Sequence, residues 1–121
     1  MYTYKITVDR VVDGDTIDAN IDLGFDVSVK KRIRFMGVNA PESRTRDAEE
    51  KVKGLAAKER VKSLLEDAET ITVKSHGVGK FGRCLGEITL INFNDGEDKN
   101  ADLTETLLAE GHGKPYFGGK R

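Results

Sequence analysis

The chain has 121 residues, which fits one compact domain and leaves no room for two ordinary ones. With 37% hydrophobic and 34% charged residues, it is typical of a globular domain and not of a disordered chain. The formal net charge of -1 excludes a protein held to nucleic acid by bulk charge alone, since neutralising phosphates requires a basic face.

Cysteine content and the first residues bear on location. The single cysteine, Cys84, cannot form an intramolecular disulfide, so the sequence does not indicate a secreted disulfide scaffold. The start of the chain lacks a basic region followed by a long apolar run, and no segment is long and apolar enough for a transmembrane helix. We therefore expect a cytoplasmic monomer without a membrane partner, or a secreted protein if a leader has been removed.

Two strands are predicted at the start of the chain. Residues 2–12 are rich in β-branched and aromatic side chains that alternate with polar ones, and an Asp-Gly turn follows at residues 13–14. From residue 16 to residue 22 the alternation is strict, which is the clearest strand signal in the sequence. The apolar face of this second strand is predicted to carry Ile17, Ala19, Ile21 and Leu23.

A third strand is predicted over residues 27–35. Val27, Val29, Ile33 and Phe35 are expected to share its apolar face. Arg32 and Arg34 fall on the opposite face, because successive side chains of a strand point to opposite sides. A basic row of this kind is either a solvated surface or part of a phosphate-binding site.

The period changes to that of a helix after Pro41. Apolar residues recur at helical spacing up to residue 68, with Lys and Glu on the other side. Asp47 followed by Glu50 predicts a capping box at the helix start. Gly54 costs about 1 kcal/mol relative to alanine in a helix, which indicates either close packing or a slight weakness. The apolar positions are Ala48, Val52, Leu55, Ala56, Val61, Leu64, Leu65 and Ala68.

The second half of the chain predicts two more strands and a short helix. The strands cover residues 70–74 and 84–90, with a glycine-rich loop between them. A short amphipathic helix over residues 102–110 is closed by Gly111. We expect the glycine-rich, basic tail at residues 113–121 to be loose.

The order of these elements predicts a mainly β fold with helices. Five strands, with one long helix after the third and a helix near the end, fit a small five-stranded barrel of the oligonucleotide/oligosaccharide-binding (OB) kind with two or three helices. We expect residues 1–121 to form one such domain. A two-layer α+β sheet is the alternative.

Several polar residues suit the hydrolysis of a phosphodiester. Arg34 and Arg83 are candidates for binding phosphate, because a planar guanidinium donates two parallel hydrogen bonds. Asp15 suits a hard cation such as Ca²⁺ or Mg²⁺, and Glu42 is a candidate for orienting or deprotonating water. Each residue also has a purely structural explanation, since residues 13–16 read equally well as a hairpin turn and an exposed Arg83 as a surface ion pair.

The motifs taken together resemble a known family. Asp-Gly-Asp-Thr at residues 13–16, Arg-Phe-Met-Gly-Val-Asn-Ala-Pro-Glu at residues 34–42 and Phe-Gly-Arg at residues 81–83 are similar, in order and spacing, to the signatures of the staphylococcal nuclease (thermonuclease) family. The resemblance covers nearly the whole chain. Its other matching positions are Gly54, Ala57, Leu107, Gly111 and Lys114.

This resemblance implies a five-stranded barrel and a Ca²⁺-dependent endonuclease that acts on DNA and RNA. It implies that Asp15 supplies a calcium carboxylate and that Ala40 supplies a backbone carbonyl oxygen. Asp13 and Thr16 are expected to support the site without touching the metal.

The resemblance also implies roles in substrate binding. Arg34 and Arg83 would bind the scissile phosphate, and Glu42 would act as general base or orient the attacking water. The expected nucleic-acid contacts outside this centre are Lys80, Lys114 and Tyr116.

Asn39 departs from the family pattern, which has a second calcium-binding aspartate at this position. Asparagine keeps an oxygen ligand but removes one negative charge. A unit charge about 4 Å away is worth on the order of 4 kcal/mol at an effective dielectric constant of about 20, before desolvation is counted. We therefore expect weaker calcium binding, partial compensation by Asp18 or Glu42, or the use of another divalent cation.

Two alternatives follow for function. Because Asn39 replaces a metal ligand, the chain is alternatively a catalytically weakened or inactive nucleic-acid-binding module of the OB kind. A protein-interaction domain without nucleic acid is a third interpretation, and it leaves Asp15, Arg34, Glu42 and Arg83 unexplained. The retention of this set favours a working nuclease.

Overall fold

A computed structural model of the chain describes residues 3–41, 43, 46–78, 84–91 and 100–116. The elements within these residues follow one another in an order close to the predicted one. They are β1 (Thr3–Asp13), β2 (Thr16–Gly24), β3 (Val27–Phe35), β4 (Gly37–Asn39), α1 (Ala48–Glu66), β5 (Thr70–Val78), β6 (Cys84–Ile91), β7 (Ala101–Asp102), α2 (Leu103–Ala109) and β8 (Lys114–Tyr116).

Five of these strands close into a barrel. β1 pairs with β2, β2 with β3, β1 with β5 and β5 with β6, all antiparallel. A parallel pairing between β3 and β6 joins the two ends of the sheet. The predicted five-stranded barrel is therefore confirmed, and the two-layer alternative is wrong.

Closure of the barrel depends on a close approach at Gly86. This residue lies opposite Phe35 in the parallel pairing, and its carbonyl oxygen accepts a hydrogen bond from the Met36 amide at 2.9 Å. A Cβ atom at this position would overlap Cγ2 of Val73 on β5. Glycine is therefore required where three strands converge.

The core lies inside the barrel and between the barrel and the helices. The alternation of β2 is confirmed, since Ile17, Ala19 and Ile21 are buried. Leu23 and Val27, which we expected on the same apolar face, are 46% and 53% exposed. All residues from 22 to 28 are exposed, so the tip of the β2–β3 hairpin extends away from the core that the described residues form.

The long helix α1 begins where the sequence predicts. The Asp47 side chain accepts hydrogen bonds from the amides of Glu49 and Glu50, which caps the helix. The buried stripe differs from the predicted one, because Val52 and Leu55 are 68% and 44% exposed. It consists of Gly54, Ala57, Val61, Leu64 and Leu65. Its first members are small because this end of the helix packs closely on the turn between β1 and β2.

Four short segments differ from the prediction, and two of them are the unpredicted strands β4 and β7. β5 continues to Val78 instead of ending near residue 74, with an irregular register between Ser75 and Val78. β8 lies in the tail that we expected to be loose, and it pairs with β4 to form a two-stranded ribbon. Residues 117–121 lie outside the described part of the chain. Neither described helix is long and apolar enough to span a membrane.

Candidate active site

The turn between β1 and β2 is clamped between α1 and the segment after β4. A Cβ atom on Gly14 would lie 2.7 Å from Cβ of Ala57 and 3.0 Å from Cβ of Ala40. Side chains do not approach this closely, so only glycine fits here without displacement. The close approach fixes the turn, and with it the two carboxylates at residues 13 and 15.

The carboxylate of Asp15 is buried and held from two sides. Oδ1 accepts a hydrogen bond from the hydroxyl of Thr16 at 2.9 Å, and Oδ2 accepts one from the amide of Ala40 at 2.9 Å. Asp15 is 6% exposed. Its own carbonyl oxygen accepts from the Phe35 amide at 2.8 Å. Asp15 therefore joins β2, the end of β3 and the segment after β4.

Arg34 lies beside this carboxylate. It is directly opposite Thr16 in the β2–β3 register and is 8% exposed. Nη1 donates to the carbonyl oxygens of Phe35 at 2.9 Å and Val38 at 2.6 Å. Nη2 donates to Oδ1 of Asn39 at 3.2 Å and lies 3.6 Å from Oδ2 of Asp15. The guanidinium thus braces the turn between β3 and β4.

Asp13 is tied to a residue that the sequence analysis did not single out. The amide of Ser43 donates to Oδ1 of Asp13 at 3.2 Å, and the Ser43 hydroxyl donates to the same oxygen. Ser43 is 5% exposed. A serine in a polar loop gives no spacing signal, because serine is common in turns generally. The one available clue is its position directly after the Pro-Glu pair.

The ribbon of β4 and β8 forms one side of the site. Lys114 lies opposite Asn39 and Tyr116 lies opposite Gly37 in its register. A Cβ atom on Gly113 would overlap Cγ2 of Val38 and lie 3.3 Å from the carbonyl oxygen of Asn39. The segment that carries Lys114 is therefore packed directly on the strand that carries Asn39.

Oxygen atoms of the kind that hard cations prefer converge at this site. Oδ2 of Asp15 and Oδ1 of Asn39 both lie within 3.6 Å of the same Arg34 nitrogen, which shows that these two oxygens face one cationic position. Their formal charge is low, since Asn39 contributes none. Among the described residues, no group of three or more acidic, histidine or cysteine side chains is placed to hold a metal. Carboxylate and amide oxygens are ligands that suit Ca²⁺. The low formal charge of the set is that of a site with weak affinity for the cation.

Asp18, a candidate for supplying the missing charge, is paired with two arginines. Its carboxylate pairs with Nε of Arg32 at 2.8 Å and with Nη2 of Arg10 at 3.2 Å. The hydrogen bond from Arg32 is the largest of the effects that hold the pKa of Asp18 below its usual 3.8. Compensation by Asp18 stays a prediction, and in the structure this carboxylate is engaged by two guanidinium groups.

The contacts above link five of the predicted site residues, which are Asp15, Thr16, Arg34, Asn39 and Ala40. Asp13 lies at the other end of the same turn and contacts Ser43. Lys114 and the backbone of Tyr116 flank them. Glu42, Lys80 and Arg83 lie outside the described residues, and their positions stay predictions.

The structure is thus that of a small closed five-stranded barrel with a buried carboxylate on its β1–β2 turn and an arginine of β3 beside it. The family model for staphylococcal nuclease homologues matches residues 32–120, which is more than half of the chain. The chain belongs to this family. The resemblance inferred from the motifs is confirmed.

A relative in Bacillus subtilis (strain 168) extends the match over the β1–β2 turn. Endonuclease YhcR of that organism is 35% identical to this chain over 121 residues. The alignment covers 94% of this chain and 9% of that protein, so the chain spans a small part of the relative. Together with the family match, this likeness supports a function of the nuclease family.

Proposed function

We propose that this chain is a metal-dependent endonuclease that hydrolyses phosphodiester bonds of DNA or RNA, with Ca²⁺ as the metal. The observation that carries the proposal is the buried Asp15 carboxylate beside the Arg34 guanidinium, at 3.6 Å. A carboxylate for a cation and a guanidinium for a phosphate are thereby held next to each other, one on the β1–β2 turn and the other on β3. Family membership supports the same chemistry.

Arg34 and Arg83 are proposed to bind the phosphate that is cleaved. A guanidinium offers two parallel donors to phosphate oxygens, and it stabilises the charge that develops on them. Asn39 affects this role, because its amide accepts from Arg34 without neutralising it. An aspartate at the same position would hold Arg34 in an ion pair. Asparagine therefore costs metal affinity and leaves more of the arginine charge for the substrate.

The metal would be held by the Asp15 carboxylate, the Asn39 amide oxygen and the backbone carbonyl of Ala40. When bound, a divalent cation would supply Lewis-acid stabilisation of the phosphate charge. The amide of Ala40 already fixes the carboxylate, because it donates to Oδ2 of Asp15. With a single formal negative charge in this set, we expect a low calcium affinity.

Glu42 is proposed to orient or deprotonate the attacking water. Its neighbours in the sequence are anchored on both sides, since Ala40 is bound to Asp15 and Ser43 is bound to Asp13. Both anchors lie on the β1–β2 turn. The turn that carries the proposed metal carboxylate therefore also anchors residues 40 and 43.

A noncatalytic nucleic-acid-binding module is the second candidate. It is favoured by the engagement of both terminal nitrogens of Arg34 with the turn around Val38 and Asn39, at only 8% exposure. An arginine in this state must exchange contacts before it binds a phosphate. A module that binds only the nucleic-acid backbone has no need of that exchange.

Cleavage assays separate these functions. Purified protein is incubated with single-stranded DNA, duplex DNA and RNA, with Ca²⁺, Mg²⁺ or Mn²⁺ titrated and a chelator as control. We expect cleavage in Ca²⁺ that the chelator stops. Asn39→Asp should lower the calcium concentration for half-maximal activity by roughly tenfold, the equivalent of about 1.4 kcal/mol. Asn100→Asp, an identical change at an exposed residue outside the site, is the matched control and should have no effect.

The same assays include outcomes against the proposal. Cleavage by Asn39→Asp alone would identify the natural chain as a binding module with a disabled metal site. Cleavage by neither protein, with binding retained, would assign the binding function to this member of the family. Equal calcium dependence of the natural protein and Asn39→Asp would contradict a ligand role for residue 39.

A further inference from the structure

A row of cations leads away from the candidate active site along β3. In the β2–β3 register, Arg34, Arg32 and Lys30 pair with Thr16, Asp18 and Asn20. Alternate residues share one face of a strand, so these three cations follow one another at intervals of about 6.6 Å. That spacing is comparable to the separation of successive phosphates in an extended single strand. Arg32 and Lys30 are exposed.

Asp18 orients the cations at the centre of this row. Arg32 uses Nε and Nη2 to bind both oxygens of Asp18, and Arg10 on β1 donates to the same carboxylate. One carboxylate thus holds two guanidinium groups, which are 45% and 55% exposed. The Nη1 group of Arg32 takes no part in this pairing. It remains available to a phosphate, because a guanidinium carries five N–H donors.

The surface around these residues is concave. A depression of about 340 Å³ is lined by Asp9, Arg10, Asp18, Ala19, Lys30 and Lys31. With Arg32 beside it, the depression has four cations and two carboxylates around it. The larger cleft of about 920 Å³ along β1 and α1 is lined by equal numbers of cations and carboxylates. Of these two surfaces, the smaller depression is the one with an excess of positive charge, which favours a polyanion.

The tip of the hairpin presents an aromatic ring. Phe25 is fully exposed, and its φ angle of 55° lies in the left-handed region, as does the 60° of Asp26. Hairpin turns of this kind favour Asn-Gly, and the left-handed conformation costs about 1–2 kcal/mol per ordinary residue. Phenylalanine at this position contributes nothing to the core. It holds a ring in solvent at the end of the cationic row.

We propose that the outer face of the β2–β3 hairpin binds single-stranded nucleic acid that leaves the cleavage site. Arg32 and Lys30 contact successive phosphates, Arg10 contributes a further cation on the other side of Asp18, and Phe25 stacks on a base; these four residues are called the hairpin surface. Cations that follow a backbone, combined with a ring for stacking, are the features by which barrels of this kind bind single strands. A duplex should bind less tightly, because its bases are stacked inside and only its phosphates can contact the cations.

The hairpin surface also has the required length. β3 spans about 23 Å from Val27 to Arg34, which accommodates several nucleotides, at the lower end of the 4–16 known for one OB barrel.

The apolar residues at the tip are few, since only Leu23 and Val27 accompany Phe25, and charged residues adjoin them. A patch of this size suits one stacked base better than an apolar protein partner.

The inference rests on the proposed function, and its test measures binding without cleavage. Fluorescence anisotropy follows an oligonucleotide of about 12 residues, as DNA and as RNA, in chelator and over a salt series. For Lys30→Gln with Arg32→Gln, the slope of log affinity against log salt should fall by about 1.4, which is about 0.7 for each lost phosphate contact. Lys30→Gln alone keeps the Arg32–Asp18 pair intact and should lower the slope by about 0.7.

Substitutions at Phe25 test the stacking contact. Phe25→Leu should weaken single-strand binding about tenfold, and Phe25→Tyr should restore it because the ring is kept. The control is Lys51→Gln with Lys53→Gln, which removes two exposed cations from α1 and should leave the slope unchanged. An unchanged slope in the Lys30 variants, full binding by Phe25→Leu, or tighter binding of duplex than of single strand would overturn the proposal.

Failure of this inference and failure of the proposed function give different results. If the protein cuts nucleic acid but the hairpin variants bind as the natural protein does, the nuclease proposal is supported and binding by the hairpin surface is refuted. If the hairpin variants lose binding while no substrate is cut with any of the metals, binding by the hairpin surface is supported and the catalytic proposal is refuted.

Discussion

At Asn39 a single side-chain atom links the two proposed activities of the site. Its Oδ1 accepts from Arg34 at 3.2 Å, and the same oxygen is the proposed metal ligand. A cation and the guanidinium therefore compete for one acceptor. A metal ion on this oxygen would displace Arg34 and release one of its nitrogens for the substrate. We therefore predict that metal binding at Asn39 strengthens phosphate binding by Arg34, and the reverse.

Gly14 provides a second test at the scale of one residue. Gly14→Ala places a Cβ atom 2.7 Å from Cβ of Ala57, so we expect it to destabilise the protein by about 1–3 kcal/mol. Ala57→Gly alone should cost about 1 kcal/mol, since glycine is a poor helix former. The double variant should be more stable than the sum of the two losses predicts, by about 1 kcal/mol, because the overlap is relieved. Urea denaturation measures all three.

Additive losses in that cycle would show that the two residues are not in contact. Nuclease activity supplies a second readout, since Gly14 positions the Asp15 carboxylate through the same turn. Recovery of activity in the double variant would link the helix contact to the geometry of the site.

Among the elements, the short strands β4, β7 and β8 are the ones that no local pattern predicts. β4 and β8 have three residues each, and each is a strand because it pairs with the other across a large separation in the sequence. By contrast, the alternation of residues 16–22 predicts β2, and Asp47 predicts the start of α1, because both signals are local. Leu23 and Val27 fit the local pattern and are nevertheless exposed, since the pattern cannot show where the barrel ends.

The ribbon of β4 and β8 is tested by Gly113→Ala. The added Cβ atom meets the side chain of Val38, which is fully buried and cannot move away. We expect the ribbon to loosen while the barrel stays folded, so the amides of β4 should exchange hydrogen about tenfold faster or more. Lys114→Ala, an exposed change on the same strand, is the control. Exchange that rises equally in β1 and β2 would instead indicate global destabilisation.

Across the whole molecule, an ion pair connects α1 with the end of α2. Arg60 donates from Nε and Nη2 to the two carboxylate oxygens of Glu110, at 2.6 and 2.9 Å. These bonds hold the pKa of Glu110 below its usual 4.5. The folded state therefore favours the ionised carboxylate. The stability from this pair is fully present above pH 4.5 and is lost as the pH falls through the lowered pKa.

Arg60→Gln should show this dependence. Because both side chains are about a third exposed, we expect a loss of only about 0.5 kcal/mol near neutral pH. The difference from the natural protein should shrink to nothing well below pH 4.5, where Glu110 is protonated in both folded states. Denaturant titrations at several pH values measure it, with Lys53→Gln as control. A loss that persists in acid would assign the role of Arg60 to packing.

The sequence predicts the barrel and the residue types of the site better than the contacts within them. Asp15, Arg34 and Asn39 are recognisable by motif, and the structure brings them together. The partners of Arg34 include two backbone carbonyls, and the partner of Asp13 is a loop serine. Contacts to backbone carbonyls or to common loop residues cannot be recognised in a single sequence, because no residue type or spacing identifies them. The parallel pairing of β3 with β6 is hidden for a related reason, because it depends on three-dimensional closure.

The pairing of β4 with β8 also sets an order of events during synthesis. A ribosome releases the chain from its N-terminus, so the strands of the barrel, up to residue 91, emerge before residues 114–116. Until those residues appear, the strand carrying Asn39 lacks its partner. A nascent chain therefore exposes every strand of the barrel before the segment that supports Asn39 emerges. The ribbon is consequently the last described part of the candidate site to assemble during translation.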